Sequence, residues 1–307
     1  MIVYRELSSL VEDLGFSAKA LYSVSNSIGK HYHKVKIPKG NGDFRELSVP
    51  DNLLKAIQHK IAGVLLPMEE ISPYATAYRY GGSAVLNAKP HLKKEVMLKL
   101  DIRHFFDHII YPVVKEKAFP KEHYSEENRV LLTILCIYRD ALPQGAPTSP
   151  AISNIIMKDF DNLVGEWCSK RNITYTRYCD DMTFSGSFDT KEVTEFVKGE
   201  LKKMGFFLND KKTVALHNGQ KKAVTGIVVN EKLSISVVYK KEIRQAVYYC
   251  KKFGVKSHLK SRQIQMDEKS YLRKLLGKIN YVLSVETENG EFKDYKYYTL
   301  NELHKED

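Results

Sequence analysis

Two adjacent carboxylates, Asp180 and Asp181, lie between two short segments that have the composition of β-strands. Residues 172–178 are rich in β-branched and aromatic side chains, and residues 182–185 are similar and end at a glycine. This pattern predicts a β-hairpin with acidic residues at its turn. An Asp-Asp turn on its own is also typical of a solvated loop, so its chemistry depends on what the fold brings to it.

A third carboxylate lies at the end of another predicted strand. Residues 96–101 form an apolar segment that ends at Asp101 and continues into Phe105 and Phe106. Carboxylates so far apart in sequence can meet only through the fold. If they meet, they form an all-oxygen site suited to Mg²⁺, a hard cation that prefers carboxylates and substrate phosphates.

The chain is strongly basic. Its 307 residues include 48 Lys and Arg against 37 Asp and Glu, which gives a formal charge of +11 and a pI near 9.2. A hydrophobic content of 43% is ordinary for a globular protein and argues against disorder. We therefore expect a polyanionic partner, with nucleic acid ahead of a membrane because no amphipathic membrane helix or lipidation motif is recognisable.

The sequence shows no signal peptide and no segment long enough to cross a bilayer, so we expect a cytoplasmic protein with no membrane partner. The cysteines lack paired metal-ligand spacing and are typical of reduced thiols; they are Cys136, Cys168, Cys179 and Cys250. His31 and His33 are two residues apart, but no second His or Cys cluster supports a zinc site.

Residues 32–50 alternate in polarity on both sides of a Gly/Asn turn and predict a second hairpin. Lys36, Lys39 and Arg45 make this hairpin cationic. Over a carboxylate-metal centre it would clamp a triphosphate, and Arg45 is the preferred candidate because its guanidinium fork matches phosphate oxygens. The alternative is a solvated basic surface.

Helical patterns account for much of the remaining chain. We expect one helix or a pair of helices across residues 8–29, capped by Ser8 or Ser9, and further helices at 52–66, within 108–140, at 151–170 and at 190–204. Residues 142–150 contain too much proline and glycine for regular structure. Residues 223–237 predict a short hairpin.

From Lys240 the composition shifts. Between Lys240 and Lys278 there are twelve Lys and Arg against three acids, with apolar residues such as Ile243 on one helical face. A charge run is usually a solvated face. A run of one sign on a cationic chain is a better candidate for binding a phosphate backbone, so we expect a basic helical subdomain here.

Several of these motifs together resemble the palm of reverse transcriptases, in the order found there. They are Asp101 with its two phenylalanines, Leu142-Pro-Gln-Gly-Ala-Pro-Thr-Ser-Pro150, Tyr178-Cys-Asp-Asp181 and Gly205-Phe-Phe-Leu-Asn-Asp-Lys-Lys-Thr213. The resemblance runs from about residue 36 to residue 229. Two further stretches, Asn87-Ala-Lys-Pro-His91 and Val224-Thr-Gly226, are similar to blocks that mark retron reverse transcriptases among the bacterial enzymes.

The sequence departs from the family pattern in two places. Cys179 occupies the second position of the Tyr-x-Asp-Asp box, where alanine is usual. Arg79-Tyr-Gly-Gly-Ser83 differs from the more usual Gly-Arg-Ser form, so the sequence does not identify which residue there meets the template.

The resemblance implies an α+β, right-hand polymerase fold with fingers, a ferredoxin-like palm and a helical thumb. It places N-terminal helices at residues 1–30 and fingers at 31–95 together with 108–140. The palm is expected at 96–107 and 141–239, and the basic thumb at 240–307.

The resemblance also implies roles for individual residues. Asp101, Asp180 and Asp181 would be catalytic and would hold two Mg²⁺ ions. The nucleotide-binding residues would be Arg45 at the triphosphate, together with Lys211 or the alternative Lys212, Phe106 under the deoxyribose, and Gln144 at the incoming nucleotide or its template partner. One of Phe105 and Phe106 is expected in the core. The RNA-binding residues would be Asn87, His91, Thr225, Lys240, Lys241 and Arg244, the first three in a scaffolding role.

The implied function is that of an RNA-directed DNA polymerase of a retron. Such an enzyme uses dNTPs to copy part of its own structured non-coding RNA into multicopy single-stranded DNA (msDNA), primed from an RNA 2′-OH through a 2′,5′ branch. An accessory effector protein and a role in anti-phage defence are also implied. The alternatives are another bacterial reverse transcriptase, of the group II-like or abortive-infection type, and a catalytically silent RNA-binding scaffold. The intact Asp101, Asp180, Asp181 and Gln144 argue against the scaffold.

Overall fold

The computed structural model describes residues 3–38 and 42–305, and these divide into two compact units. The first unit comprises Met1–Gly82 and Leu98–Ala215, and the second comprises Ser83–Met97 and Leu216–Asp307. Both units contain helices and strands, as expected for the α+β class. The predicted cationic residue Lys39, at the tip of the basic hairpin, lies outside the described residues.

The helices and strands follow one another along the whole chain. The helices are α1 (Leu7–Leu14), α2 (Ala18–Asn26), α3 (Asn52–Lys60), α4 (Ala84–Ala88), α5 (Tyr111–Ala118), α6 (Glu126–Cys136), α7 (Ser149–Ile156), α8 (Lys158–Ser169), α9 (Thr190–Lys203), α10 (Val237–Phe253), α11 (Val255–Ser261), α12 (Glu268–Val285) and α13 (Gly290–Leu303). The strands are β1 (Tyr32–Pro38), β2 (Phe44–Pro50), β3 (Val96–Asp101), β4 (Thr174–Tyr178), β5 (Asp181–Gly186), β6 (Val214–Leu216), β7 (Ala223–Val224), β8 (Ile227–Val228) and β9 (Ser234–Ile235). Short 3₁₀ turns occur at Ile28–His31, Leu66–Met68, Lys89–His91, Phe106–His108 and Asp210–Lys212, and a π-helical turn at Ile61–Leu65.

A four-stranded sheet in the order β4-β5-β3-β6 forms the centre of the first unit. β4 and β5 form the predicted antiparallel hairpin, with Tyr178 opposite Asp181, so that Cys179 and Asp180 are the two turn residues. The central strands β3 and β5 are buried along most of their length and share one hydrophobic core with α5, α6, α7, α8 and α9. The carboxylates therefore lie at the ends of strands that the core holds in place.

The predicted basic hairpin is also present, as β1 paired antiparallel with β2. It is a separate two-stranded sheet and is largely exposed. Its inner end is anchored because the backbone N–H of Ser48 donates to the carbonyl of Gln144 at 2.9 Å. This bond ties the hairpin to the proline- and glycine-rich loop.

The helix predictions are confirmed in position but differ in detail. The first region is a pair, α1 and α2, because Gly15 adopts a left-handed φ of 71° that ends α1. The predicted cap at Ser8 or Ser9 is wrong, since Glu6 occupies that position without a side-chain hydrogen bond. The single helix predicted at 151–170 is likewise two helices, α7 and α8, which meet at Met157.

The second unit has its own core. The short strands β7, β8 and β9 form a three-stranded antiparallel sheet that packs with α4, α10, α12 and α13. Thr225 and Gly226 form the turn between β7 and β8 with φ values of 47° and 83°. Two positive φ values in a two-residue turn are the signature of type I′, which explains the glycine at the second position.

The two compact units group the chain differently from the four predicted regions. The segment 216–239, predicted in the palm, belongs to the same unit as the helices from Lys240 onward, because Val224 and Ile235 pack in one core with Ile243 and Ile279. The segment 83–95, predicted in the fingers, also belongs to this unit. Apolar packing between elements, which composition does not report, decides both assignments.

His91 is completely buried in the second unit. Burial lowers the pKa of its imidazole to about 3, and the nearby charge of Lys94 acts in the same direction. The folded chain therefore keeps His91 neutral at pH values where an unfolded chain, with a histidine pKa of about 6.5, takes up a proton.

Among the described residues, no helix combines the length and apolar composition needed to cross a bilayer.

The neutral state of His91 predicts a pH-dependent stability. A histidine whose folded pKa is depressed stabilises the fold fully above the unfolded pKa, and this stabilisation is lost as the pH falls toward the folded pKa. Between pH 6.5 and pH 4.5 we expect His91 to remove about 2–3 kcal/mol from the free energy of unfolding. Urea unfolding of the wild type and of His91→Gln at several pH values measures the difference, which should shrink as the pH falls.

The matched control is His33→Gln, because His33 is exposed on β1. This variant should follow the wild-type pH profile. Parallel profiles for the wild type and His91→Gln would contradict the assignment of the effect to His91.

Candidate active site

A cavity of about 800 Å³ opens in the first unit beside the acidic turn. Its lining includes all three predicted carboxylates, Asp101, Asp180 and Asp181. Its other walls come from the start of β2, the segment that follows β3, the loop at Gln144 and the 3₁₀ turn before β6. The fold thus brings together acidic residues that are far apart in the sequence.

Backbone hydrogen bonds fix this convergence. The N–H of Ile102, one residue after β3, donates to the carbonyl of Asp180 at 3.0 Å. On the other side of β3, the N–H of Asn209 donates to the carbonyl of Asp101 at 2.8 Å. Asp101 and Asp180 are therefore held by main-chain contacts, which do not depend on side-chain rotamers.

The side chain of Asp101 is buried and has two partners from the segment before β6. Lys212 Nζ lies 2.7 Å from one carboxylate oxygen, and Asn209 Nδ2 donates to the other at 3.1 Å. The hydrogen bond to Asp101 is the main cause that raises the pKa of Lys212. The Asp101 carboxylate is thus paired with a cationic side chain.

The pKa of Asp181 is raised. Enclosure in the cavity is the largest cause, and repulsion from Asp180 and Asp101 adds to it, while Lys99 acts in the opposite sense. Carboxylates that repel one another in this way concentrate negative charge, which favours a bound cation.

The donor set fits a hard divalent cation because it consists of carboxylate oxygens. Within residues 3–38 and 42–305, no three His, Cys, Asp or Glu side chains form a ready-made metal cluster. One reason is visible at Asp101, whose carboxylate faces Lys212 and Asn209. The ligand chemistry is therefore present, and both oxygens of Asp101 are in contact with Lys212 or Asn209.

Three of the predicted nucleotide-binding residues, Arg45, Phe106 and Gln144, line the cavity. Phe105 is buried in the core and Phe106 is half-buried, as expected for the pair. Of the two lysines offered for the triphosphate, Lys212 lines the cavity and Lys211 does not. The two lysines lie in a 3₁₀ turn, where neighbouring side chains diverge by about 120°.

The predicted RNA-binding residues lie in the second unit and differ in exposure. Asn87 and His91 are buried, so in this conformation neither side chain can contact RNA directly. Thr225 donates its hydroxyl to the carbonyl of Ala84 at 3.1 Å and joins the turn after β7 to the start of α4. Ala84 begins the helix that carries Asn87, so this hydrogen bond lies within the second unit. A scaffolding role for these residues stays a prediction.

The basic residues of α10 also differ from one another. Lys240 pairs with Glu286 at 2.8 Å, and Arg244 makes a two-pronged ion pair with Glu291 at 2.7 Å on each prong. Direct RNA contact was predicted for both, but their charges are engaged within the unit. Lys241 is exposed on the same helix. The sequence could not show the ion pairs of Lys240 and Arg244, because Glu286 and Glu291 lie more than 40 residues further along the chain.

A buried ion pair behind the acidic turn was not anticipated. Arg177 on β4 and Asp161 on α8 are both fully buried, and Arg177 Nε lies 2.8 Å from Asp161 Oδ1. Tyr175 donates to the same oxygen at 2.8 Å. Alternation along β4 puts Tyr175 and Arg177 on one face of the sheet. An arginine at an inward-facing position of a strand was the sequence feature that could have indicated this buried ion pair.

Comparison with known proteins gives the family. The model of the reverse transcriptase (RNA-dependent DNA polymerase) family matches residues 37–272. The retron Ec86 reverse transcriptase of Escherichia coli is 30% identical over 259 residues, which cover 81% of this chain and 78% of that protein. The retron Ec83 reverse transcriptase of the same species is 34% identical over 236 residues, with coverages of 71% and 75%.

The retron Mx65 reverse transcriptase of Myxococcus xanthus is 31% identical over 258 residues, covering 76% of this chain and 60% of that protein. The matched regions include the segments that carry Asp101 and the acidic turn. The chain has the right-hand polymerase fold and the RNA-directed DNA polymerase activity of this family. It therefore belongs to the reverse transcriptases and, among them, to the retron enzymes.

Proposed function

We propose that this reverse transcriptase copies part of its own structured non-coding RNA into msDNA, with the first nucleotide joined to an RNA 2′-OH through a 2′,5′ branch. The observation that carries the proposal is the convergence of Asp101, Asp180 and Asp181 in one cavity with Arg45 and Gln144. Similarity to retron enzymes over most of the chain supports the choice of template and product. The intact carboxylates disfavour a silent scaffold.

The family implies dependence on a divalent metal, and we propose that two Mg²⁺ ions bind to Asp101, Asp180 and Asp181. When bound, such a pair activates the attacking hydroxyl and stabilises the leaving pyrophosphate. The chain supplies the carboxylates, and Lys212 and Asn209 hold the side chain of Asp101 in place.

The remaining cavity residues position the nucleotide. Arg45 is exposed at the cavity and has the fork that suits a triphosphate, while Lys212, once displaced from Asp101, adds a second positive charge beside it. Phe106 provides an aromatic surface for the deoxyribose and excludes a ribose 2′-OH by its bulk. Gln144 offers an amide to the incoming nucleotide or its template partner.

The second unit is proposed as the thumb that grips the RNA. Its exposed basic residues, Lys241 among them, contact phosphates and 2′-hydroxyls, because the major groove of duplex RNA is too narrow for side-chain readout. Binding should therefore weaken strongly with salt. The cellular setting we propose is the cytoplasm, in an anti-phage system with an accessory effector protein.

Removing the proposed metal ligands should abolish synthesis. We expect Asp180→Asn and Asp181→Asn each to lower nucleotide incorporation by at least about a thousandfold, since a metal contributes several kcal/mol to the transition state. RNA affinity, measured by filter binding, should stay within about twofold of wild type, because a lost carboxylate does not weaken phosphate contacts elsewhere.

The matched control for these variants is Asp159→Asn, an exposed acid on α8 whose side chain pairs with Lys117. It should retain wild-type incorporation. Undiminished incorporation by the Asp180 and Asp181 variants would remove these residues from the site.

Gly145 sets the approach of the Gln144 loop to the basic hairpin. Its φ is 122°, and a Cβ at this position would lie 2.9 Å from the carbonyl oxygen of Ser48. Gly145→Ala must therefore push the loop and β2 apart, at a cost of about 1–3 kcal/mol. Because both Gln144 and Arg45 would move, we expect a raised KM for dNTPs and a lowered melting temperature.

Gly199→Ala is the control, because Gly199 lies within α9 and a Cβ there meets no atom within 4 Å. It should leave KM unchanged and raise stability by about 0.5–1 kcal/mol. An unchanged KM in Gly145→Ala would mean that this contact does not shape the nucleotide site.

The nucleic acid that copurifies with the chain tests the template and product. After expression with its native locus, we expect a DNA whose 5′ end remains joined to a short RNA after RNase treatment. A debranching enzyme that cleaves 2′,5′ linkages should release the two. Linear DNA without an RNA stub would instead support a different class of bacterial reverse transcriptase, and RNA alone would support the scaffold.

A further inference from the structure

The acidic turn has a conformation that a single hydrogen bond can select. Cys179 has a φ of 63°, while Asp180 is not among the residues with positive φ. In a two-residue hairpin turn this sign pattern is that of type II′, whereas type I′ needs positive φ at both positions. The two types differ by a flip of the central peptide, whose carbonyl is that of Cys179.

Arg177 holds that carbonyl. Its Nη1 donates to the carbonyl oxygen of Cys179 at 2.9 Å. The rest of the guanidinium is fixed from behind, since Nε and Nη2 both donate to Asp161, and Nη2 also donates to Asn154 Oδ1 at 3.2 Å. All three of its nitrogens are therefore engaged, and the donor that faces the turn has little freedom to move.

The same network reaches the wall of the cavity. Asn154 Nδ2 donates to the carbonyl of Ala77 at 2.8 Å, and Thr76 donates its hydroxyl to the carbonyl of Arg177 at 2.9 Å. Tyr78, which follows Ala77, lines the cavity and donates its hydroxyl to Cys179 Sγ at 3.4 Å. One buried ion pair thus supports the turn and the wall beside it.

We propose that Arg177, oriented by Asp161 and Asn154, is a positioning residue that selects the type II′ form of the Cys179-Asp180 turn. This form directs Asp180 and Asp181 into the cavity with Asp101. The inference rests on the proposed role of these aspartates as metal ligands. A buried ion pair is often no more stabilising than packed apolar side chains, so the pair with Asp161 does not by itself explain an arginine here. The geometry points to the hydrogen bond from Arg177 Nη1 to the Cys179 carbonyl as the reason.

Arg177→Lys is the central variant. A lysine keeps a positive charge for Asp161, but a single ammonium cannot also reach the Cys179 carbonyl with the geometry of a fork. The matched control is Arg129→Lys. Arg129 is also buried and pairs with Glu116 and Glu126, but it does not line the cavity. Both variants lose a buried guanidinium, and only one loses a contact with the turn.

Three measurements separate positioning from stability. The first is the melting temperature. The second is kcat and KM for dTTP on a poly(rA)–oligo(dT) primer-template, with the active sites counted by the burst amplitude. The third is Mn²⁺ binding in the absence of nucleotide, followed by electron paramagnetic resonance. In Arg177→Lys we expect kcat to fall about 10- to 100-fold and Mn²⁺ affinity to weaken about tenfold, with KM within about twofold. Arg129→Lys should keep wild-type kcat per active site at a comparable loss of melting temperature.

The proposal is overturned if Arg177→Lys keeps wild-type kcat and Mn²⁺ affinity, or loses no more of either than Arg129→Lys. If Arg177→Lys does not fold, Asp161→Asn replaces it, because it leaves the guanidinium in place but weakens its orientation. A smaller drop in kcat with unchanged KM is then expected, and wild-type behaviour overturns the proposal. Absence of synthesis by the wild type itself would sink the proposed function, while the Mn²⁺ comparison would still test the positioning role.

Discussion

The pairing of β3 with β5 is the contact on which the site depends. The two strands are neighbours in the central sheet; β3 ends at Asp101 and β5 begins at Asp181. Their pairing therefore puts carboxylates from distant parts of the chain at one edge of the sheet. Both strands are buried along most of their length, and slipping one residue would turn their apolar side chains the wrong way. The hydrophobic core thereby sets the spacing of the acids.

That spacing has an electrostatic cost, which the protein offsets locally. Asp181 shows it as a raised pKa caused by enclosure and by its acidic neighbours. Lys212 and Asn209 both contact the Asp101 carboxylate, and a main-chain hydrogen bond from Ile102 to Asp180 ties the turn to the end of β3. The site is therefore a cluster of carboxylates whose negative charge is partly neutralised by Lys212.

The acids, the hairpins and the polymerase class could be predicted from sequence, because strand alternation and motif order are local signals. The choice between Lys211 and Lys212 could not, since it depends on the rotation of one 3₁₀ turn. The burial of His91 and the pairing of Lys240 with Glu286 were also hidden, because both depend on packing between elements distant in sequence. Composition reports a basic helix but not which of its charges are already neutralised within the fold.

The hydrogen bond from Thr225 to Ala84 joins the turn between β7 and β8 to α4, the helix that carries Asn87. The two segments thus form one packed contact, and the type I′ turn at Thr225-Gly226 fixes the backbone on one side of it. Chimeras between related enzymes should therefore exchange residues 83–97 and 216–239 as a pair. A chimera that receives only one of the two segments would pack it against a partner segment of different sequence.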